Sequence, residues 1–203
     1  GVTAARKNGF FKAKGTWICF VDADDVLPQN AIEILNKKKE DADIVIGQVK
    51  FWGPYKWPFP VMEDRFISNE YISVLFKKNI IHSGVYARMF KKELLKFNDI
   101  FDIPKKITHG EDFIMNIRLG LKASKIKLIS DVVYEYIIRD SSVSLHNKHS
   151  NLSYTLLFYK EIKKSFSFNK QKNLMPRFYL LKRIKRCFIL NMKEIINVCL
   201  RRN

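Results

Sequence analysis

Apolar and polar residues follow one another along the chain in short blocks that predict an α/β domain. The continuous apolar run at residues 16–21 has the pattern of a strand buried on both faces of a parallel sheet, and residues 43–49 predict a second strand. Between them, Ile32 and Leu35 predict the inward face of a helix over residues 31–39. The first quarter of the chain is therefore expected to contribute parallel strands joined by a helix.

The same alternation continues toward the C-terminus. Apolar positions with helical spacing predict further helices, at residues 69–78, at 91–97, from Phe113 onward and at 152–166. Extended patterns predict two more strands, at 126–129 and 132–138. Beyond Pro176, a single apolar stripe predicts a long helix whose opposite face is basic.

The segment at residues 51–60 interrupts this pattern because it is rich in aromatic residues and broken by prolines, so regular structure is not expected there. Its rings have two alternative roles. They either stack on the sugar face of a ligand or pack against the sheet.

The length of 203 residues and a hydrophobic content of 47% are typical of a folded globular protein. No apolar run reaches the roughly 18 residues that a membrane-spanning helix requires, and residues 1–15 lack the apolar centre of a secretory signal. Cys19, Cys187 and Cys199 have no metal-ligand spacing, and their odd number argues against a disulfide framework. A cytoplasmic location is therefore the expectation.

The net charge of +17 would attract a polyanion such as nucleic acid, an acidic membrane surface or a nucleotide-bearing substrate. Most of the excess lies in residues 151–203, so we expect a domain over residues 1–150 and a basic helical tail over 151–203. The helix at 177–203 either packs on the domain or adsorbs to an anionic membrane surface at the inner face of the cell membrane. A groove-reading motif is missing, so nucleic acid is not an expected partner.

Asp22, Asp24 and Asp25 form the most informative acidic cluster because they directly follow the first predicted strand. Ligands of open α/β sheets bind at the carboxyl ends of strands, and adjacent carboxylates repel unless a cation or hydrogen-bond donors offset the repulsion. Mg²⁺ or Mn²⁺, completed by substrate phosphates, fits such oxygen ligands. A solvated acidic turn that caps the next helix is the alternative, and the position after a buried strand favours the metal site.

A second carboxylate pair, Glu111 and Asp112, stands directly before the helix that begins near Phe113. A carboxylate held at a helix start can act as general base on a substrate hydroxyl. Alternatively, the pair only complements the helix dipole. A carboxylate cluster suited to a metal and a second pair suited to a general base together indicate a catalytic site more specifically than either one alone.

A polar turn after the last predicted strand contains a third group of candidate residues. Arg139, Ser142 and Ser144 can engage phosphate oxygens, and His146 can serve as a metal ligand. The alternative is an ordinary turn with a surface histidine.

Several segments resemble, in the same order along the chain, the motifs of family 2 glycosyltransferases of the GT-A fold. Residues 1–25 resemble the family's G-x-S-x-A-R-N-x-G and F-L-D-x-D-D motifs, and the pair Glu111-Asp112 resembles its E-D motif. Residues 88–94 resemble its K-L-Y-K-R-E-L segment, and residues 134–144 its Y-x-Y-R-x-x-x-S-x-S segment. The resemblance covers residues 1–146 and implies a Rossmann-like, mostly parallel sheet with flanking helices, followed by the helical tail.

This resemblance implies a metal-dependent, inverting transfer of a sugar from a nucleotide-diphosphate donor, expected to be a UDP-sugar, to a glycan or lipid-linked acceptor hydroxyl in cell-surface polysaccharide assembly. Asp112 would be the base, with Glu111 orienting it. Asp22 would contact the donor, and Asp24 would hold Mn²⁺ or Mg²⁺ on the diphosphate. Further donor contacts would come from basic and hydroxyl side chains, namely Arg6 on the nucleotide side and Arg139, Ser142 and Ser144 over the diphosphate.

The family's first strands, which supply most of the nucleoside pocket, precede the matched motifs and are expected to be missing from the 203 residues. The GT-A domain over residues 1–150 would then be N-terminally incomplete. A catalytically inactive binding or scaffold fragment on anionic membranes is therefore the alternative to an active enzyme.

Overall fold

The computed structural model describes residues 1–53, 60–77, 80–139 and 152–167. Within these ranges the chain forms six helices: α1 (Val2–Lys12), α2 (Ala31–Lys38), α3 (Tyr71–Lys77), α4 (Lys92–Leu95), α5 (Glu111–Gly120) and α6 (Leu152–Ser167). The same ranges contain five strands: β1 (Trp17–Ile18), β2 (Ile44–Trp52), β3 (Arg65–Phe66), β4 (Arg88–Lys91) and β5 (Ile126–Ile137).

The chain divides into two compact units, Gly1–Asp140 and Ser141–Asn203. The first unit contains the sheet and α1 to α5, and the second contains α6. The division into a domain at 1–150 and a tail at 151–203 stays a prediction.

The five strands form one sheet in the order β1-β4-β2-β5-β3, which confirms the expectation of an α/β fold. The expectation that the sheet is mostly parallel is wrong for the described strands. β2 and β5 are the one pair of neighbouring strands that is parallel there, because β4 lies between β1 and β2 and runs opposite to both, and β3 is antiparallel to β5. β1 therefore points in the same direction as β2 and β5.

The strand predicted at residues 16–21 is shorter than expected and does not have two buried faces. Only Trp17 and Ile18 pair with β4, and Val21 is 47% exposed. Trp17 pairs with Lys91 and Ile18 with Phe90, both on the four-residue β4. The chain then leaves the sheet after Ile18. The carboxylates that follow therefore begin four residues beyond the end of β1.

β5 runs without a break where the sequence predicts two strands. The polar residues Ser130 and Asp131 resemble a turn, but both are bonded to side chains outside the strand. The backbone N–H of Ser130 donates to the carboxylate of Asp64 (2.7 Å), and Lys38 donates to Asp131 (2.5 Å). These bonds allow the polar pair to remain in extended structure.

The parallel pair of β2 and β5 forms the centre of the sheet, and its register is irregular around Gly47. A Cβ atom at Gly47 would lie 2.2 Å from Cγ2 of Val133, so the two strands approach closely only with glycine at this position. Beyond the irregularity, pairing continues to Trp52 and Ile137. The carboxyl ends of both parallel strands thus lie side by side.

Helix α2 packs on the sheet through a face that differs from the predicted one. Ala31 and Leu35 are buried, whereas Ile32 is 45% exposed. The buried positions are four residues apart and join a core that includes Val45 and Val133. The expectation for Leu35 is confirmed, and the expectation for Ile32 is wrong.

Helix α5 begins at Glu111, directly after Gly110, whose φ of 86° is accessible mainly to glycine. This backbone conformation lets the preceding loop turn sharply into the helix. The residues predicted to face inward are buried, including Phe113, Ile114 and Ile117. Glu111 and Asp112 therefore lie in the first turn of a helix that is anchored in the core.

Helix α6 buries Phe158, Ile162 and Phe166 at four-residue spacing, as expected for one face of an amphipathic helix. In the described part of the chain, none of the helices combines the length and apolarity needed to cross a membrane. The predicted helix at 177–203 lies outside the described residues.

Candidate active site

Arg6, on α1, connects the acidic segment Asp22–Asp25 with the carboxylate pair Glu111 and Asp112. Its guanidinium donates to the carboxylate of Asp112 and lies 3.4 Å from Oδ1 of Asp22 and 3.9 Å from Oε1 of Glu111. The Arg6 side chain is only 8% exposed. Four-residue spacing places Arg6 on the same buried face of α1 as Phe10, so the helix itself directs the guanidinium inward.

The charges around Arg6 stabilise one another. Burial alone lowers the pKa of Arg6, but the carboxylates of Asp112, Asp22 and Glu111 raise it above its ordinary value. Burial raises the pKa of Asp22, and the guanidinium of Arg6 offsets part of this increase. The cation is therefore held where three carboxylates would otherwise repel one another.

Asp25 and the backbone of Asp22 are held by Tyr134, on β5. The Asp22 N–H donates to the tyrosine hydroxyl (3.0 Å), which in turn donates to Oδ2 of Asp25 (2.8 Å). The N–H of Ile137 donates to Oδ1 of Asp25 (2.9 Å), and Val26 forms a bridge with Glu135. The acidic segment is thus fixed against the carboxyl end of β5, although its own strand ends at Ile18.

Asp24 differs from its two neighbours because it is exposed, and the described residues provide no hydrogen bond to its carboxylate. Its backbone carbonyl accepts a hydrogen bond from Arg139 (3.3 Å), which brings this arginine to the acidic segment. Across the described ranges, no three His, Cys, Asp or Glu side chains come together as a metal-binding group. One exposed carboxylate nevertheless fits a Mg²⁺ or Mn²⁺ ion whose remaining ligands are water and substrate phosphates.

Glu111 is the least stabilised carboxylate of the site. Its Oε2 atom is buried and has no hydrogen-bond partner among the described residues. Burial, followed by the negative charge of Asp112, raises the pKa of Glu111 to about 7. A carboxyl group whose pKa lies near neutral pH, beside a second carboxylate, is typical of a functional site.

Two further residues near the site, Tyr86 and Asn116, belong to none of the candidate motifs. Tyr86 stacks on Tyr134 with ring centroids 4.6 Å apart and on His82 with centroids 4.9 Å apart. The amide of Asn116, four residues after Asp112, donates to the carbonyls of Ser83 (2.8 Å) and Gly84 (3.0 Å). These bonds hold the loop before β4 against α5.

The structure therefore brings together Arg6, Asp22, Asp24, Glu111 and Asp112, with Arg139 beside Asp24. Arg6 contacts both Asp22 and Asp112, whereas the resemblance placed it on the nucleotide side alone. The remaining predicted residues, Ser142, Ser144 and His146, lie outside the described part of the chain.

Residues 1–97 match the family model described as Glycosyl transferase family 2. This match contains the two N-terminal motifs that carry Arg6, Asp22 and Asp24. This match confirms the family resemblance that the sequence motifs suggested for the N-terminal part of the chain.

Curated relatives in bacteria carry glycosyltransferase names. The chain is 28% identical over 158 residues to Glycosyltransferase GlyA of Streptococcus pneumoniae serotype 4, covering 71% of this chain and 22% of that protein. It is 27% identical to Cholesterol galactosyltransferase of Borreliella burgdorferi, and the match covers 89% of this chain and 54% of that protein. It is 30% identical to Poly(ribitol-phosphate) beta-glucosyltransferase of Bacillus spizizenii, and the match covers 68% of this chain and 22% of that protein. The chain thus spans between about a fifth and a half of these relatives.

Solved structures of Staphylococcus aureus TarS share the fold. The structure of TarS 1–349 with UDP-GlcNAc superposes with a TM-score of 0.67 at 15% sequence identity, covering 93% of this chain and 52% of that chain. At this identity the likeness concerns the fold, and it supports the expected GT-A type of architecture.

Proposed function

We propose that this chain takes part in the inverting transfer of a sugar from a nucleotide-diphosphate donor, with a UDP-sugar as the expected donor, to an acceptor hydroxyl. The observation that carries the proposal is the bridge through Arg6, which joins Asp22 to Asp112 across 90 residues of sequence separation. A donor-side acid and a general base must lie close together in such a reaction, because the acceptor attacks the carbon from which the diphosphate departs.

In the proposed reaction, an acceptor hydroxyl oxygen attacks the anomeric carbon of the donor sugar from the face opposite the diphosphate. Asp112 accepts the proton from this hydroxyl as the new carbon–oxygen bond forms. The bond between the anomeric carbon and the diphosphate oxygen breaks, and the diphosphate leaves with the electron pair. Asp112 keeps 19% of its side chain exposed, which leaves it accessible to an acceptor.

The other residues have positioning and binding roles in this proposal. Arg6 is a positioning residue that fixes the Asp112 carboxylate, and Glu111 supports the same turn of α5. Asp22 would contact the donor, and Arg139, Ser142 and Ser144 would bind its diphosphate. Asp24, with His146 as a second candidate, would hold Mn²⁺ or Mg²⁺, which would neutralise the charge that develops on the leaving diphosphate.

The names of relatives support a role in the assembly of bacterial cell-surface polymers, because several are named for poly(ribitol phosphate) or teichoic acid synthesis. We propose a glycan or lipid-linked acceptor for this chain as well. The reaction would take place at the inner face of the cell membrane, with residues 177–203 in peripheral contact with anionic lipids. Deleting residues 177–203 should then release the protein from acidic vesicles, and unchanged vesicle binding would refute this contact.

The test of the proposed function is a transfer assay with a panel of UDP-sugars and Mn²⁺, in which UDP release and the anomeric configuration of the product are measured. Asp112→Asn should lower the rate by about 100-fold or more, because a positioned general base contributes on that order. Asp131→Asn is a matched control, since Asp131 is a surface acid paired with Lys38. An Asp112→Asn protein that retains full transfer would exclude the assigned base.

A further inference from the structure

A cavity of about 390 Å³ opens at the surface of the first unit, between α1 and the segment that runs from α4 to Phe101. Two of the phenylalanine rings that line it are buried and two are exposed. Phe10 and Phe101 are 5% and 9% exposed, and their ring centroids lie 5.7 Å apart. Phe11 is 69% exposed and Phe97 is 50% exposed. The cavity therefore combines buried apolar rings with two rings that are open to solvent.

The charged residues in the described lining of this cavity are all lysines, namely Lys7, Lys92 and Lys96. The ammonium of Lys7 lies 6.0 Å from the ring centroid of Phe11, and the ammonium of Lys92 lies 6.0 Å from the ring centroid of Phe10. At these distances a cation still interacts favourably with the face of an aromatic ring. We call the four phenylalanines and three lysines together the basic aromatic cavity.

The charge of the basic aromatic cavity is only partly compensated. Lys7 and Lys92 form no ion pair with any described residue. Lys92 donates instead to the backbone carbonyl of Ala13 (2.5 Å), which leaves its positive charge without a counterion. Lys96 is paired with Glu93 (2.8 Å), and both side chains are exposed. Two positive charges therefore remain available to a negatively charged partner.

The fold holds the exposed part of the cavity in place. Lys7 and Phe11 are four residues apart on α1, so they lie on the same side of the helix. Arg6 and Phe10, which precede them, are buried and fix the rotation of α1 about its axis. The helix therefore presents Lys7 and Phe11 without any rearrangement of the domain.

Exposed rings beside uncompensated ammonium groups indicate a partner with both apolar and anionic parts. A single exposed phenylalanine is common on protein surfaces, whereas apolar groups gathered at one cavity mark an interaction site. The rings of Phe11 and Phe97 have no polar atom, so they gain stability only by leaving water. Lysine carries a compact point charge that suits a layer of many phosphates, whereas bidentate recognition of one phosphate favours arginine.

An anionic bilayer surface supplies both parts at once. Its hydrocarbon begins directly beneath a layer of phosphate headgroups, and the stem of a lysine can cover apolar surface while its ammonium stays among the headgroups. A free phosphate would leave the phenylalanine rings in water. A purely apolar partner would bury the ammonium groups without a counterion, which is costly. Charge complementarity and the exposed rings therefore favour acidic lipids as the partner.

We propose that the basic aromatic cavity docks on an anionic membrane surface, with Phe11 and Phe97 inserted at the acyl boundary and with Lys7 and Lys92 among the headgroup phosphates. This contact is separate from the one proposed for residues 177–203, and it does not depend on sugar transfer. One weak membrane contact gives only marginal, reversible binding, and stable attachment takes two. The loss of either contact should therefore release most of the protein.

The test is cosedimentation of the full chain with lipid vesicles. The probes are vesicles of phosphatidylcholine alone and vesicles in which about a third of the lipid is phosphatidylglycerol. We expect binding to the acidic vesicles only. Phe11→Ser and Phe97→Ser should each weaken this binding by about 10-fold, because each removes a ring from the acyl boundary. Lys7→Gln should weaken it by about fivefold, because one charge that faces the headgroups is lost.

Phe66→Ser is the matched control for the rings. Phe66, on β3, is 43% exposed and also lies near a lysine, with the ammonium of Lys127 5.6 Å from its ring centroid. Lys125→Gln is the control for net charge, because Lys125 is a surface lysine outside the cavity that is paired with Asp41. Both controls should bind acidic vesicles as the unaltered protein does, and circular dichroism would show that each variant is folded.

The assignment is overturned if the chain does not bind acidic vesicles, or if Phe11→Ser and Phe97→Ser bind them as tightly as Phe66→Ser does. Light scattering tests for a contact between two copies of the chain. A dimer that Phe11→Ser separates without changing vesicle binding would place a second copy on the cavity instead of lipid. Polyglutamate binding that requires Phe11, without vesicle binding, would place an acidic protein there.

The vesicle assay contains neither a sugar donor nor an acceptor, so its result is independent of the proposed function. UDP binding by Phe11→Ser and Phe97→Ser should equal that of the unaltered protein, because neither ring belongs to the candidate active site. The membrane contact therefore stands if the vesicle results are as expected and no sugar is transferred. Sugar transfer by a chain whose vesicle binding ignores these rings would leave the function in place and remove the membrane contact.

Discussion

The acidic segment Asp22–Asp25 and the pair Glu111–Asp112 both place adjacent carboxylates in one site, but the fold stabilises them differently. Asp22 and Asp25 receive hydrogen bonds from Arg6, Tyr134 and the backbone of β5. Glu111 and Asp112 have Arg6 as their cation, and one oxygen of Glu111 is buried without a partner among the described residues. The first group is held ready by the protein, whereas the second retains an unfavourable buried charge.

This difference indicates separate tasks for the two groups. In the first group, Asp22 and Asp25 already have hydrogen-bond partners within the protein. The segment can therefore present the carboxylate of Asp24 alone to a ligand, with little change of structure. A buried carboxyl group with a raised pKa is stabilised most when a hydroxyl or another hydrogen-bond donor approaches it. The asymmetry is consistent with the proposed roles, in which Asp24 lies on the side that binds the sugar donor and α5 on the side that activates the acceptor.

The largest expected effect comes from removing the exposed carboxylate of the first group. Asp24→Asn should weaken the binding of UDP in the presence of Mn²⁺ by about 100-fold, because a charged ligand between the cation and the protein is lost. The measurement is a calorimetric titration with UDP, and removal of the metal with a chelator should have a similar effect. Asp131→Asn should bind UDP normally, and metal-independent binding of UDP would contradict the assignment of Asp24.

The second prediction concerns the buried charge of Glu111. Its pKa of about 7 lies above the ordinary 4.5, so the folded chain binds an additional proton between these values. The free energy of unfolding should therefore decrease as pH rises from about 4.5 through about 7. Glu111→Gln should remove this dependence, which amounts to up to about 3 kcal/mol.

Urea denaturation of both proteins across this pH range would measure the effect, with the exposed Glu93→Gln as a control that keeps the pH dependence. Equal pH profiles for Glu111→Gln and the unaltered protein would show that Glu111 is not held near its protonated form.

The smallest expected effect tests the link between the acidic segment and the sheet. Tyr134→Phe removes the hydroxyl that accepts from Asp22 and donates to Asp25, and it should lower the free energy of unfolding by about 1 to 2 kcal/mol. UDP affinity should decrease as well, because the segment that carries Asp24 is held less firmly. Tyr159→Phe, on α6, should change neither quantity. An unaltered UDP affinity in Tyr134→Phe would show that Tyr134 does not position the segment that carries Asp24.

The sequence alone identified the acidic residues of the site because they occur in short local motifs. Asp22, Asp24, Glu111 and Asp112 each stand within a few residues of a recognisable strand or helix signal. The helices from Phe113 and at 152–166 were also predictable, since their apolar residues recur with helical spacing. Local pattern was therefore sufficient for these elements.

The partners of these residues could not be predicted in the same way, because they are distant in sequence. Arg6 and Asp112 are 106 residues apart, and Tyr134 lies 112 residues from the backbone group of Asp22 that it bonds. The direction of β4 likewise depends on tertiary packing rather than on a local pattern, so the sheet was wrongly expected to be mostly parallel. His82 carries no local signal, and its stacking on Tyr86 becomes evident only in the folded structure.

The central claim is that Arg6 joins the two carboxylate groups into one catalytic site, and a double-mutant cycle of kcat/KM for sugar transfer tests it most directly. Arg6→Lys should slow transfer because an ammonium cannot contact these carboxylates with the geometry of a guanidinium, and Asp112→Asn should slow it more. We expect the double variant to be no slower than Asp112→Asn alone, because Arg6 acts through Asp112. Losses that multiply in the double variant would show that the two residues act independently and would contradict the account.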